Sequence, residues 1–297
     1  MAEYEKAMSG ARTAIGAGRV KPGSVAAVIA EYLDSQTFFT SKSAGTQRMR
    51  RGILERFRAA YGERPMALLP AEWIEALLDS KPPHAARSWR ATLRSLCQFG
   101  VKRRYLRTDP TATIKLASID SDGFHTWTED EIGQFEAHHP VGTKPRLALA
   151  LLLYTAQRRS DVVRMGRQHI KDGVLTVKQE KTGVTLAIPV HPHLQAVLDA
   201  TPSEHLTFLV TVTGKPYGGN AFSAQFREWC DAAGLPKRCK PHGLRKAACR
   251  RLAEAGCSTK EIMAISGHAT MKEIVRYTDA ADQARLARNA LAKAVIR

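Results

Sequence analysis

Residues 240–257 read KPHGLRKAACRRLAEAGC and place His242 and Arg245 three positions apart at the start of a helix. Side chains at i and i+3 leave a helix on one face, so the pair sets an imidazole beside a guanidinium. A phosphodiester cleavage site needs both, a cationic fork on the nonbridging oxygens and a group that can take a proton. Taken alone the pair is weak, because a chain with 10 His and 45 Lys+Arg produces such pairs by accident. His84 with Arg87 is a second example, and it belongs to a basic surface helix. Outward from this stretch, Ser266-Gly267-His268 follows, and Tyr277 comes nine residues after His268. Upstream, residues 154–165 (YTAQRRSDVVRM) end an apolar helix in a turn bearing Arg158, with Asp161 three residues on. Each residue has an ordinary reading: a lone tyrosine as a core or surface aromatic, Arg158 as a helix-terminus cation, Lys181 as a solvated hairpin tip.

Bulk properties narrow the choice. The chain has 297 residues, enough for two domains that each bury a core. Its 45 Lys+Arg against 28 Asp+Glu give a formal charge of +17, which draws a polyanion in a salt-sensitive way. The sequence contains no run of 18 apolar residues, and the first residues lack the apolar core of a signal peptide, so a cytoplasmic protein without membrane contact is expected. Five cysteines without a C-x-x-C spacing predict reduced, mostly buried thiols.

The patterning predicts a mainly α protein in two parts, an all-helical domain followed by an α-rich domain with a small β-hairpin. Residues 1–21 form an N-terminal segment and 22–107 the helical domain. In it Ser24 caps a helix that turns Val25, Val28, Ile29 and Leu33 inward. The next helix turns Met49, Ile53, Leu54 and Phe57 inward and crowds arginines outward. A helix beginning at Pro70 follows, then one from His84 with Trp89, Leu93, Leu96, Cys97 and Val101 as its apolar positions. Arg48, Arg51, Arg87, Arg90, Arg94, Lys102 and Arg103 are the candidate DNA contacts, against the plainer reading of solvated helix faces. Residues 108–125 lose periodicity and read as a linker. The second domain, 126–281, opens with a capping box at Thr128 and Glu131. A nearly all-apolar helix from Lys144 and two alternating β runs around Lys181-Thr182-Gly183 come next, with helix predicted from there to the C-terminus. The tail, 282–297, carries a modest apolar stripe through Leu286, Leu291, Ala294 and Val295.

In order and spacing, these residues resemble the tyrosine recombinase and phage integrase family. Its pattern is an arginine followed three residues later by a carboxylate, a hairpin lysine, H-x-x-R, G-H, and a tyrosine about nine residues on. Arg158 with Asp161, Lys181, His242 with Arg245, Gly267-His268 and Tyr277 match it, and the resemblance covers roughly residues 126–281. The sequence departs at Ala156, where the family usually has glycine, and at Pro241, where a small hydroxyl residue is common; both bear on local backbone geometry. Residues 1–21 are too few for the small N-terminal arm-binding domain of many integrases. Either the protein works without that domain or the chain is a trimmed version.

The resemblance implies a site-specific DNA recombinase, associated with mobile elements, that uses neither metal nor ATP. Tyr277 would attack the scissile phosphate to make a 3′-phosphotyrosine, and the freed 5′-hydroxyl of a partner strand would later reverse the link. Arg158 and Arg245 would clamp the nonbridging oxygens, His268 would add a hydrogen bond, Lys181 would protonate the leaving 5′-oxygen from the minor groove, and His242 would accept the tyrosine proton. Asp161 would orient the arginine and histidine cluster. The implied partners are double-stranded DNA with specific recombination sites and three further copies of the chain on DNA. The two domains would form a clamp, and the tail would pass into a neighbour or pack on its own domain. No cofactor is implied, and no metal: His191 and His193, like His138 and His139, lack carboxylate or cysteine partners at ligand spacing. A topoisomerase of type IB and a noncatalytic DNA-binding regulator are the rival readings. The intact set of six and the short interval from His268 to Tyr277 favour the recombinase.

Overall fold

The computed structural model describes residues 20–39, 43–118, 123–201, 204–271, 274–275, 287–288 and 291–292. The chain divides into two compact units, Met1–Ser121 and Asp122–Arg297.

The first unit is helical. Ser24 accepts from the Ala27 amide and opens α1 (Val25–Asp34), which buries Val25, Val28, Ile29, Tyr32 and Leu33. A short α2 (Gln36–Phe39) brings Phe38 onto Tyr32, with ring centroids 5.5 Å apart. Helix α3 (Ala44–Tyr61) contributes Ile53, Leu54 and Phe57 to the core, and α4 (Ala71–Asp79) adds Ile74 and Leu78. The long α5 (Pro83–Lys102) starts with proline, whose missing amide proton costs nothing there, and buries Trp89, Leu93, Leu96 and Cys97. Met49 departs from its expected inward position and is 43% exposed. Ile53 is the first buried residue of α3, so the first two turns project past the core. The stretch read as linker is partly packed: Thr111 and Ile114 are buried, and Asp109 Oδ1 accepts from both the amide and the hydroxyl of Thr111.

In the second unit α6 (Glu129–His138) begins at the expected capping box, Thr128 with Glu131. Helix α7 (Lys144–Thr155) buries every residue from Leu147 to Leu153, as its all-round apolar sequence requires. After the short α8 (Arg159–Val162) comes a sheet of order β1-β2-β3, with β1 Ile170–Lys171, β2 Val174–Lys178 and β3 Thr185–Pro189, all antiparallel. The expected hairpin is β2–β3; β1 is additional. It is made by a two-residue turn in which Asp172 (φ 50°) and Gly173 (φ 72°) are both left-handed. Asp-Gly is the sequence signal for that turn. Helices α9 (Pro192–Asp199), α10 (Gly219–Ala232), α11 (Pro241–Glu254) and α12 (Thr259–Ser266) follow. Helix is not continuous from the hairpin onward: the described residues 204–218 form an irregular stretch closed by a bridge between Val210 and Pro216. Its left-handed Gly214 and the amide-less Pro216 are both incompatible with helix. Both α9 and α11 pack on α7, which puts the start of α11 beside the end of α7. Among the described residues no helix is long and apolar enough to cross a membrane, and all five cysteines are free.

Glu131 holds the start of this unit. Its carboxylate accepts from the Thr128 amide (2.9 Å) and Arg238 (3.0 Å) and meets His125 Nε2 at 2.6 Å. Burial opposes its ionisation, yet hydrogen bonds from His125, Thr128 and Arg238 outweigh that and hold it down at about 2. Its contribution is therefore present above the ordinary 4.5 and lost as pH falls toward about 2. Glu131→Gln should cost about 1–3 kcal/mol at neutral pH. In urea titrations the gap to wild type should narrow as pH drops through that window; a gap unchanged between neutral pH and pH 3 would contradict this account.

Candidate active site

The site is assembled where three turns meet. The first follows α7. Thr155 ends that helix by donating its hydroxyl to Leu151 O (2.6 Å), and Ala156 then turns left-handed (φ 53°). An L-residue there is strained by about 1–2 kcal/mol, which is the physical reason glycine suits the position. The turn aims the Ala156 carbonyl at Arg245, whose Nη1 donates to it at 2.9 Å. Two residues on, Arg158 sits at the N-cap of α8, and its Nη1 donates to Gln179 Oε1 at 3.1 Å.

The second is the first turn of α11, which carries His242 and Arg245. Arg245 is 1% exposed, so its guanidinium lies inside the protein. His242 is half-buried with its ring 4.8 Å from that of Phe124. Burial, followed by the charges of Arg245, Lys246, Arg158 and Lys181, pushes its imidazole down to about 4.

The third follows α12, where Gly267 is left-handed (φ 67°) and His268 comes next. A Cβ at Gly267 would stand 2.5 Å from Gln179 Nε2, so both the conformation and the packing require glycine. Arg245 Nη2 lies 3.0 Å from His268 Nε2, and His268 Nδ1 lies 2.7 Å from Ser266 Oγ. Burial, then Arg245, Arg158 and His242, push this imidazole down to about 3. A neutral ring satisfies both contacts when Nε2 accepts from the guanidinium and Nδ1–H donates to Ser266. His268 thus props Arg245.

Lys181 is exposed at the tip of the β2–β3 turn, where Thr182 Oγ1 donates to Gln179 Oε1 (2.7 Å) and Gly183 N to Gln179 O (2.9 Å). Asp161 is 2% exposed, and its Oδ1 accepts from the Glu180 amide at 2.8 Å. This hydrogen bond ties α8 to the hairpin. Tyr277 lies outside the described residues, as does most of 282–297; Ile274, three positions before Tyr277, is buried against Cys249, Ala253 and Ile262. A cavity of about 610 Å³ opens beside the site, lined among others by Arg158, Arg159, Lys240, His242 and Phe124. Among the described residues Arg158 forms no ion pair, so its charge is available to an anion entering that space.

The sequence reading missed Gln157, Gln179 and Ser266. Gln179 had a legible signal, a polar residue continuing the inward series of Leu175 and Val177. The histidine pairs are structural: His191 caps α9 and stacks on Tyr154, and His139 lies against Trp229 O. His125, Glu131 and Cys239 approach within 4.8 Å of one another, but Arg238 and Thr128 already occupy the Glu131 carboxylate and a guanidinium repels a metal ion. In the first unit Arg48, Arg51, Arg87 and Lys102 are exposed and Arg90 and Arg94 half-buried. Arg103 is engaged locally, paired with Glu31 at 3.0 Å and lying over the Phe99 ring.

A model of the phage integrase family matches residues 127–284, more than half of the chain. The chain belongs to the phage integrase family. It is 26% identical over 222 residues to the integrases of Enterobacteria phage 434 and of Escherichia phage lambda, a match covering 70% of this chain. The chain spans 62% of the length of each of those relatives. In fold it is similar to a lambda integrase tetramer bound to a Holliday junction, with a TM-score of 0.73 at 22% identity, covering 91% of this chain and 86% of that one. The family's arginine, hairpin lysine, H-x-x-R and G-H positions all fall on the turns described above.

Both imidazoles stay neutral in the folded protein at pH values where they would protonate in the unfolded chain. Stability is therefore complete above about 6.5 and is lost as pH falls toward about 4 for His242 and about 3 for His268. The limiting slope is about 1.4 kcal/mol per pH unit per ring. NMR titration should find the two rings protonating at about 4 and about 3, and His242→Gln should flatten the loss of urea stability between pH 6.5 and 4. Titration of both rings near 6.5 would refute the environment described here.

Proposed function

We propose that the chain is a site-specific DNA recombinase of the integrase type, which cleaves and rejoins DNA strands through a 3′-phosphotyrosine on Tyr277. The observation that carries this reading is the gathering of cations and imidazoles from turns far apart in sequence: Arg158 and His242 line one cavity, Arg245 is buried behind it against His268, and Gln179 ties Arg158 to the Lys181 hairpin. Family membership adds Tyr277 at the expected interval. The tyrosine oxygen attacks the scissile phosphorus while its proton passes to His242, whose neutral ring has a lone pair to offer. The bond to the 5′-oxygen breaks, and that oxygen leaves with a proton from Lys181. Rejoining reverses these steps with the 5′-hydroxyl of a partner strand. One phosphate ester replaces another of similar energy, so no ATP is consumed.

Arg158 and Arg245 stabilise the charge that develops on the nonbridging oxygens, Arg245 as a buried, prealigned donor and Arg158 at the cavity wall. The proposed partner is duplex DNA bearing specific recombination sites, held in part through Arg48, Arg51, Arg87, Arg90, Arg94 and Lys102. The charge of +17 supports it. A homotetramer on DNA is proposed by analogy with the lambda integrase tetramer on a Holliday junction. A cytoplasmic location is proposed with this reading, as the setting in which the protein would meet its DNA.

The deciding experiment traps the covalent step. Wild type and Tyr277→Phe are incubated with nicked suicide duplexes, both candidate attachment sequences and a pool randomised across the core, and run on denaturing gels. Wild type should leave a 3′ end linked to protein and Tyr277→Phe none. Arg158→Ala or Arg245→Ala should slow adduct formation by about 10²–10³-fold. Tight binding without an adduct would favour a DNA-binding regulator. Transfer of strands between two separate sites, as opposed to relaxation alone, distinguishes a recombinase from a topoisomerase. Replacing Arg48 and Arg51 with glutamine should lower the slope of log affinity against log salt by about 0.9 for each phosphate that an arginine no longer neutralises. An unchanged slope would remove that face from the interface.

A further inference from the structure

Gln179, one residue past β2, continues that strand's inward-facing series and is 1% exposed. A side-chain amide has two N–H donors and an oxygen with two lone pairs, and here all four are used. Nε2 donates to Gln157 Oε1 (2.7 Å) and to Ser266 O (2.9 Å). Oε1 accepts from Arg158 Nη1 (3.1 Å) and from Thr182 Oγ1 (2.7 Å).

The direction of these bonds is set from one end. Gln157 is itself fully buried, and its Nε2 faces two backbone carbonyls, Thr155 O (2.9 Å) and Ile265 O (2.8 Å). Carbonyls only accept, so Gln157 must turn its nitrogen toward them and its oxygen toward Gln179. Gln179 must then present its nitrogen to Gln157 and Ser266, which leaves its oxygen for Arg158. Two backbone carbonyls thus dictate, through two amides, that the group facing Arg158 is an uncharged acceptor. A neutral acceptor fixes the plane of a guanidinium and leaves its charge intact for an anion. A carboxylate would fix it as well but would neutralise it.

We propose that Gln179 is a positioning residue for Arg158: it holds the guanidinium at the cavity wall through a neutral oxygen and, through Thr182, keeps the Lys181 turn in register with it. This deepens the recombinase reading and rests on it for the role of Arg158.

The test uses the full chain with Gln179→Glu and Gln179→Met, each in the Arg158 and the Arg158→Lys background. Single-turnover cleavage is followed on a suicide duplex recovered by covalent capture with wild type, alongside duplex affinity and thermal stability. Gln179→Met should slow cleavage about 10- to 100-fold, the weight of one hydrogen bond to a charged group, and leave duplex affinity within about threefold. In the Arg158→Lys background it should add less than about twofold, because the residue acts through the arginine. Gln179→Glu should be slower still at pH 8 and should regain rate relative to wild type as pH falls toward 5.5 and the new carboxyl protonates. A loss through general unfolding would follow the melting temperature, be the same in both backgrounds and show no such recovery; that pattern, or a full rate in Gln179→Met, overturns the proposal.

If wild type forms no adduct on any duplex, the recombinase reading fails separately. The positioning claim is then read from inorganic phosphate, titrated while the Arg158 Nε resonance is followed. Gln179→Met should weaken phosphate binding about 10-fold, and an unchanged affinity overturns the claim. Should Gln179→Glu not fold, Gln179→Met and its double variant carry the same decision.

Discussion

A guanidinium taken out of water is expensive unless its donors find acceptors, and the interior position of Arg245 sets the terms for much of the second unit. Its acceptors must come from the backbone and from a neutral ring, since either leaves its charge undiminished. The first requirement bends the chain after α7 into a left-handed residue so that the Ala156 carbonyl faces inward. The second brings His268 up through a left-handed glycine and ties its far nitrogen to Ser266. The apolar helix α7 and the packing of α11 against it supply the rigid frame in which these turns hold their positions.

The electrostatics follow from the same crowding. Burial, then Arg245, Lys246, Arg158 and Lys181, depress His242; burial, then Arg245, Arg158 and His242, depress His268. The cluster therefore avoids adding imidazolium charges to a region that is already cationic. Four buried thiols stay out of this chemistry. Burial holds Cys97, Cys230 and Cys239 up at about 12 and Cys249 at about 11, so they stay protonated and are poor nucleophiles at neutral pH.

Local rules read from the sequence located most elements. Ser24 and Thr128 cap the helices they were expected to cap, the run from Leu147 to Leu153 is the central helix, and alternation finds β2 and β3. Where reading failed, the cause was tertiary. Met49 has helical periodicity but no neighbour to bury it, a fact about how far the core extends. The turn at Asp172-Gly173 carries a legible signal, but the two-residue strand before it offers no alternation to notice. At the site, the residue types and spacings of Arg158, Lys181, His242, Arg245 and His268 were readable, whereas their partners were not. Gln179 meets Ser266 across 87 positions and Arg245 meets Ala156 across 89, and no local pattern encodes such pairings.

Alanine at position 156 has a second side. Its Cβ strains the folded turn, but the same atom restricts the unfolded chain far more than a glycine would, and that restriction lowers the entropy surrendered on folding. Confinement of the unfolded chain, worth about 0.4–1 kcal/mol, recovers part of the strain but not all of it. The turn that carries the carbonyl to Arg245 therefore holds its L-residue at a net cost, met by the packing around it, while the hinge-like freedom that glycine would introduce beside the site is absent.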